Sequence, residues 1–157
     1  MTEKSAGVFP EIRWFEDFAV GQTYVFGAWV MTAESMLEFA RVYDPEPFHL
    51  DEEAARQLGW DGLIASGLQI ASIWRRLSKD AFPNSETVIS PGWDDIRWML
   101  PAYVGDVLTS HTEISEVRTL SSRPEEGLVK LRNTLVRQDG KPVATLTSNW
   151  FVRRKPQ

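Results

Sequence analysis

The chain has 157 residues, of which 43% are hydrophobic and 25% charged, and a formal net charge of −5 at neutral pH. That length suits one domain with a sizeable core, and no apolar run approaches the ~18 residues that a membrane-spanning helix needs. The acidic balance, with a pI near 5.1, argues against a nucleic-acid binder, which would carry a basic stripe. Without cysteine, and with only His49 and His111 as imidazoles, disulfides are excluded and a structural zinc site is disfavoured.

In chain order, Met1 to Gly7 is polar and shows no apolar run leading to a small-residue cleavage site. No secretory signal is therefore expected, and a cytoplasmic setting fits. The first ten residues and the last four read as poorly ordered tails. A single domain over 1–157 with an ordered core from about 12 to 154 is the expected organisation. Thr23 to Met31 is aromatic and β-branched and reads as a strand. Thr32 then suits the N-cap of a helix running to about Val42, with Met36, Leu37, Ala40 and Tyr43 on one stripe. Asp44-Pro45-Glu46-Pro47 ends it, because each proline pushes the preceding residue toward extended geometry. Asp51 can cap a short helix to Leu58, with Gly59 as its stop.

A longer helix is predicted from about Ser66 to Asp80, where Ile70, Ile73, Trp74 and Leu77 recur at helical spacing. Pro83 and Asn84 close it. After Pro91 the pattern changes to strands: Trp93 to Trp98, then a turn over Pro101 to Asp106, then Val107 to Val117 and Leu128 to Arg137. Asp139-Gly140 is a two-residue hairpin signal. With it at the tip, Leu135 faces Ala144, Asn133 faces Leu146, Leu131 faces Ser148 and Val129 faces Trp150. A strand, then helices, then a run of antiparallel strands indicates an α+β fold.

Two stretches carry candidate chemistry. Asp44 to Asp51 gathers carboxylates around His49 on a loop stiffened by two prolines. A carboxylate beside an imidazole can share proton transfer; the same residues also suit an acidic surface loop in which Asp51 simply caps a helix. Further on, Ser66 and Gly67 fall at the start of the long helix, where free N–H groups and the helix dipole favour a developing oxyanion. Here too a plainer reading stands, with Ser66 as a cap and Gly67 permitting close packing.

Together these stretches resemble the MaoC-like dehydratase family, which includes the (R)-specific enoyl-CoA hydratases. The family pattern of an aspartate, two residues, proline, one residue, histidine and a further aspartate is met by Asp44, Pro47, His49 and Asp51. Ile64-Ala65-Ser66-Gly67 matches the small and apolar run that follows. Glu16-Asp17-Phe18 with Val20-Gly21, Arg97-Trp98 with Pro101 and Gly105-Asp106, and the Asp139-Gly140 hairpin extend the match over about residues 12 to 154. The resemblance implies a hot-dog fold, a long helix wrapped by a curved antiparallel sheet. It also implies homodimers, or assemblies of dimers, with active sites at or near the subunit interface.

For function, the resemblance implies a hydro-lyase acting on an acyl-CoA thioester. His49 would be the base that activates water for attack at C3, and Asp44 would orient that water and give a proton to C2. Gly67 N–H would bind the thioester oxygen. No metal or redox cofactor is implied; coenzyme A enters as part of the substrate. Ser66, Asp51 and Glu46 are candidate supporting residues. Glu46 departs from the family, where many hydratases have asparagine, and an ionised glutamate adds negative charge beside the pair unless it turns outward.

Other residues read more plainly. His111 suits a surface or packing role on a strand. The tryptophans are core and interface material first, with Trp60, Trp74 and Trp93 as candidates to line an acyl tunnel. Arg75 and Arg76 suit a solvated helix face, and Arg153-Arg154-Lys155 a soluble tail. The competing functions are a hot-dog thioesterase and a non-catalytic acyl-CoA-binding subunit.

Overall fold

A computed structural model describes residues 7–157. The elements run β1 (Thr23–Val30), α1 (Ala33–Tyr43), α2 (Pro47–Leu50), α3 (Glu52–Gln57), α4 (Gly67–Ala81), β2 (Thr87–Trp98), β3 (Val107–Thr119), β4 (Glu126–Val136) and β5 (Pro142–Arg153), after a 3₁₀ turn at Phe15–Asp17. The five strands form one antiparallel sheet in the order β1-β3-β4-β5-β2. The fold is the α+β hot dog: α4 lies along the inner face of the sheet. Among the described residues, no helix is long and apolar enough to cross a membrane.

Helix α4 sits there because its apolar residues fall on one side. Ile70, Ile73, Trp74 and Leu77 are all buried, each contributing roughly 1.5–3 kcal/mol. They meet inward-facing Phe26, Leu108, Ile114, Val129, Leu131, Leu135 and Leu146 from the strands. At Gly27 (φ +84°) the strand bulges, and the Leu77 methyl groups come so near that a Cβ there would lie 2.6 Å away. Helix and sheet are thereby brought into direct contact.

Local signals set the helix ends. The Thr32 hydroxyl accepts from Ser35 N–H at 3.2 Å, and Asp51 accepts from Ala54 N–H at 2.8 Å. Asp44 (φ −155°, ψ 67°) and Glu46 (φ −69°, ψ 140°) leave helical geometry, as the prolines demand. Met36 and Ala40 face the core, but Tyr43 is exposed: the stripe ends one turn early because the chain turns away at Asp44. The turn after Pro47 is itself a short helix, with proline at a position whose missing N–H costs nothing.

Three further expectations need correction. The predicted strand after Pro91 begins earlier, at Thr87, since β2 is an edge strand with a register shift between Ile89 and Gly92, where proline is tolerated. The Asp139-Gly140 turn is a three-residue loop: Gly140 N–H donates to Arg137 O, Arg137 N–H donates to Lys141 O, and Gly140 has φ +77°. A bulge between Val136 and Leu135 then restores the expected pairs Leu135–Ala144, Asn133–Leu146, Leu131–Ser148 and Val129–Trp150.

The third correction concerns the tails. Residues 1–6 lie outside the described residues, but Gly7 N–H donates to Val25 O, and the Phe9 ring packs against Tyr24 and Phe82. At the other end, Arg154 pairs with Glu16 at 3.1 Å and Lys155 N–H donates to the same carboxylate. Desolvation pushes the Glu16 carboxyl upward, but these bonds outweigh it and hold it below the usual range.

Candidate active site

The N-terminus of α4 meets the end of α1 at Ser66 and Asp44. The Ser66 hydroxyl, only 1% exposed, donates to Asp44 Oδ2 at 2.6 Å and accepts from Leu68 N–H at 3.2 Å. Gln69 fastens the same two helices, its Nε2 donating to Ser35 O at 3.0 Å. Asp44 is therefore fixed by a helix cap that also serves α4 itself.

Helix α2 brings in His49, which is 7% exposed. Its Nδ1 lies 2.9 Å from Ile64 O. A carbonyl only accepts, so in the neutral ring Nδ1 carries the hydrogen and Nε2 presents its lone pair. Nε2 is 3.3 Å from Asp44 Oδ2. The two groups thus form a short-range pair whose orientation is set by Ser66 on one side and a backbone carbonyl on the other.

Both open onto a cavity of about 360 Å³ that is also lined by Gly67 and Trp60. Its apolar wall comes from Leu68, Ile70, Trp98, Met99, Leu100 and Val143. Gly67 opens α4, so its N–H has no intrahelical acceptor, while that of Leu68 is used by Ser66. The Trp98 indole lies flat enough against Gly67 that a Cβ there would be 2.6 Å from Cε2. A side chain at that position would have to displace the indole. The cavity therefore offers an acid/base pair, an N–H at a helix N-terminus and an apolar wall, which suits proton transfer next to a carbonyl that gains negative charge.

The structure brings Asp44, His49, Ser66 and Gly67 together. It leaves the other two candidates outside the cavity. Asp51 caps α3 and lines a separate hollow of about 610 Å³ with Glu52, Asp61 and Tyr103. Glu46 is exposed, with no side-chain hydrogen bond among the described residues. Of the three tryptophans considered, Trp60 lines the cavity, whereas Trp74 is wholly buried and Trp93 meets it edge-on at 5.5 Å. Trp98, Met99 and Leu100 were missed, although three large apolar residues in a row before Pro101 are a signal in themselves. All three stay substantially exposed. His111 is exposed on β3 and is not part of the cavity lining.

This arrangement can be set against known proteins. A family model described as the FAS1-like dehydratase domain region matches residues 19–146. The solved MaoC-like dehydratase of Rhodospirillum rubrum is 34% identical, covers 92% of this chain and 99% of its own, and superposes with a TM-score of 0.85. The chain belongs to the MaoC-like dehydratases. Two further matches share less of the sequence. The (R)-hydratase of A. caviae, involved in PHA biosynthesis, shares the fold at 23% identity and TM-score 0.69, over 89% of this chain and 99% of that one. A mitochondrial 3-hydroxyacyl-[acyl-carrier-protein] dehydratase of Arabidopsis thaliana is 24% identical over 81% of this MaoC-like chain and 77% of its own length.

Proposed function

We propose that this protein hydrates 2-enoyl-CoA thioesters and dehydrates the matching 3-hydroxyacyl-CoA, with Asp44 and His49 as the catalytic residues. The observation that carries the reading is the 3.3 Å pairing of His49 Nε2 with Asp44 Oδ2 on a cavity whose wall includes Gly67. In hydration, His49 Nε2 takes a proton from water as its oxygen bonds to C3. The electron pair of the double bond moves toward the thioester oxygen, which accepts a hydrogen bond from Gly67 N–H. The proton taken by His49 crosses the contact to Asp44, which gives it to C2. Water has been added and the pair restored. The step exchanges the double bond and one O–H bond for a C–O and a C–H bond, with no change in overall oxidation state.

Membership of the pair matters more than the role of each member, because a proton can pass between two groups only 3.3 Å apart. Glu46, turned to solvent, does not interfere. The reading includes a homodimer, since β2 ends the sheet with a free edge bearing exposed Val88 and Ile89; light scattering of the purified chain tests it.

The decisive experiment mixes the protein with crotonyl-CoA and follows loss of the enoyl-thioester absorbance. Asp44→Asn and His49→Ala should each lower turnover by roughly 10²–10⁴-fold with the fold intact. Near-wild-type hydration by either variant would overturn the assignment. Free thiol release in place of hydration would make the protein a thioesterase, and binding without turnover across an acyl-CoA panel would make it a binding subunit. The same assay with acyl-carrier-protein thioesters tests the choice of carrier.

A further inference from the structure

His49 takes its orientation from a main-chain carbonyl, so whatever holds Ile64 also holds the imidazole. The stretch around Ile64 belongs to no helix or strand of the sheet. Its bonds go instead to the loop after β2: Ala65 N–H donates to Ala102 O at 2.9 Å, and Ile64 forms an antiparallel bridge with Tyr103. The Ile64 carbonyl and the Ala65 N–H belong to one peptide group, which is planar. That single plane is gripped at one end by Ala102 and at the other by His49 Nδ1. Tilting it strains both bonds.

The loop is in turn tied to the β4–β5 hairpin. Arg137, whose side chain is 13% exposed, reaches inward from the hairpin and donates from Nη1 to Pro101 O at 3.3 Å. The rest of its guanidinium is forked onto Asp139, with Nε and Nη2 donating at 3.3 and 2.9 Å, so the group cannot swivel freely. Asp106, 8% exposed, closes the latch. It accepts from Tyr103 N–H at 2.8 Å and from Gln138 Nε2 at 3.0 Å, with Arg137 Nη1 at 4.0 Å. A guanidinium on a hairpin tip would ordinarily extend into water. Here it is spent on the carbonyl next to the one that holds Ala65.

We infer that Arg137 is a positioning residue for His49, acting through Pro101, Ala102 and the Ile64–Ala65 peptide. The inference rests on the proposed hydratase reading for its effect on turnover, but not for its effect on the imidazole. Arg137 does not line the cavity. Arg137→Met, which keeps the aliphatic stem and removes the fork, should therefore lower kcat by roughly ten- to a hundredfold while KM stays within about twofold. Arg137→Lys, able to reach Pro101 O with one donor, should recover part of the loss.

The separating measurement needs no substrate. The chain has two histidines, and of these His111 is exposed, so a slowly exchanging imidazole Nδ1–H resonance in ¹H–¹⁵N spectra belongs to His49. In Arg137→Met that resonance should shift or be lost, and in Arg137→Lys it should return toward its wild-type position. An unchanged resonance in a folded Arg137→Met protein overturns the inference, whether or not kcat falls. If Arg137→Met does not fold, Arg137→Gln, too short to keep the fork, takes its place, and an unchanged resonance there overturns the inference equally. Should the wild type hydrate no enoyl thioester while the resonance responds as expected, the proposed reaction fails and the link from Arg137 to His49 stands.

Discussion

Ser66 serves two masters, and the two can be separated. Replacing it with alanine removes the acceptor for Leu68 N–H and the donor to Asp44 Oδ2 at the same time. Loss of the cap at a buried site should cost about 1–2 kcal/mol, which for a chain of this size lowers Tm by roughly 2–8 °C. The 2.6 Å bond to a carboxylate is of the stronger kind. Its removal is expected to cost about 1.5–3 kcal/mol, or roughly 10- to 150-fold in kcat if the bond is needed in the transition state. Ser66 lies behind the cavity and does not line it, so KM for crotonyl-CoA should hardly move. Ser66→Gly sharpens the test, because glycine at an N-cap is only a few tenths of a kcal/mol worse than serine. Its Tm should sit above that of Ser66→Ala while its kcat falls as far. Wild-type kcat in Ser66→Gly would refute the reasoning and reduce Ser66 to a helix cap.

Three further outcomes follow from the geometry. Glu46→Gln should leave kcat/KM within about twofold, since an exposed charge without a partner is largely screened; a larger change would place its carboxylate in the reaction. Gly67→Ala sets a methyl group against the Trp98 ring and should reduce kcat by about tenfold or more. The same change should cost much less in a Trp98→Ala background, and an equal cost in both would dismiss the clash. The hydrogen bond from Arg137 holds the Asp139 carboxyl below its ordinary value of 3.8. Its contribution to stability is thus present above that value and is lost as pH falls through the lower, folded one. Asp139→Asn should therefore unfold at lower urea than the wild type at pH 6, with the gap narrowing in strong acid; a gap that does not change with pH would refute the assignment.

Much of the fold could be read from side-chain patterns because the patterns were local. Thr32, Asp51 and Ser66 cap the helices they were expected to cap, and the stripe from Ile70 to Leu77 faces the sheet. Strand pairing between β4 and β5 was also legible, though by a compensation: the loop is one residue longer than expected, and the bulge beside Val136 absorbs it. What could not be read depends on partners far along the chain. Phe9 is fixed by Tyr24 and Phe82, and Arg154 by Glu16, neither of which a polar terminal sequence announces. The acid/base pair was visible as a motif, but the apolar wall at Trp98 was not, because its place beside Gly67 is set by the path of β2 across the sheet. The exposure of Glu46 was equally hidden, because residue type alone does not set the direction of a side chain on a loop.

The cavity draws its proposed reactive groups from one part of the gene and much of its lining from another. Asp44, His49, Ser66 and Gly67 sit on one continuous stretch, while Trp98, Met99, Leu100 and Val143 come from the sheet side. Selection or engineering can therefore reshape what the pocket admits by editing the second group, with the reaction itself left untouched. A library confined to those four lining positions should yield variants with altered acyl preference at little loss of turnover number. A library over the first stretch should mostly yield inactive proteins.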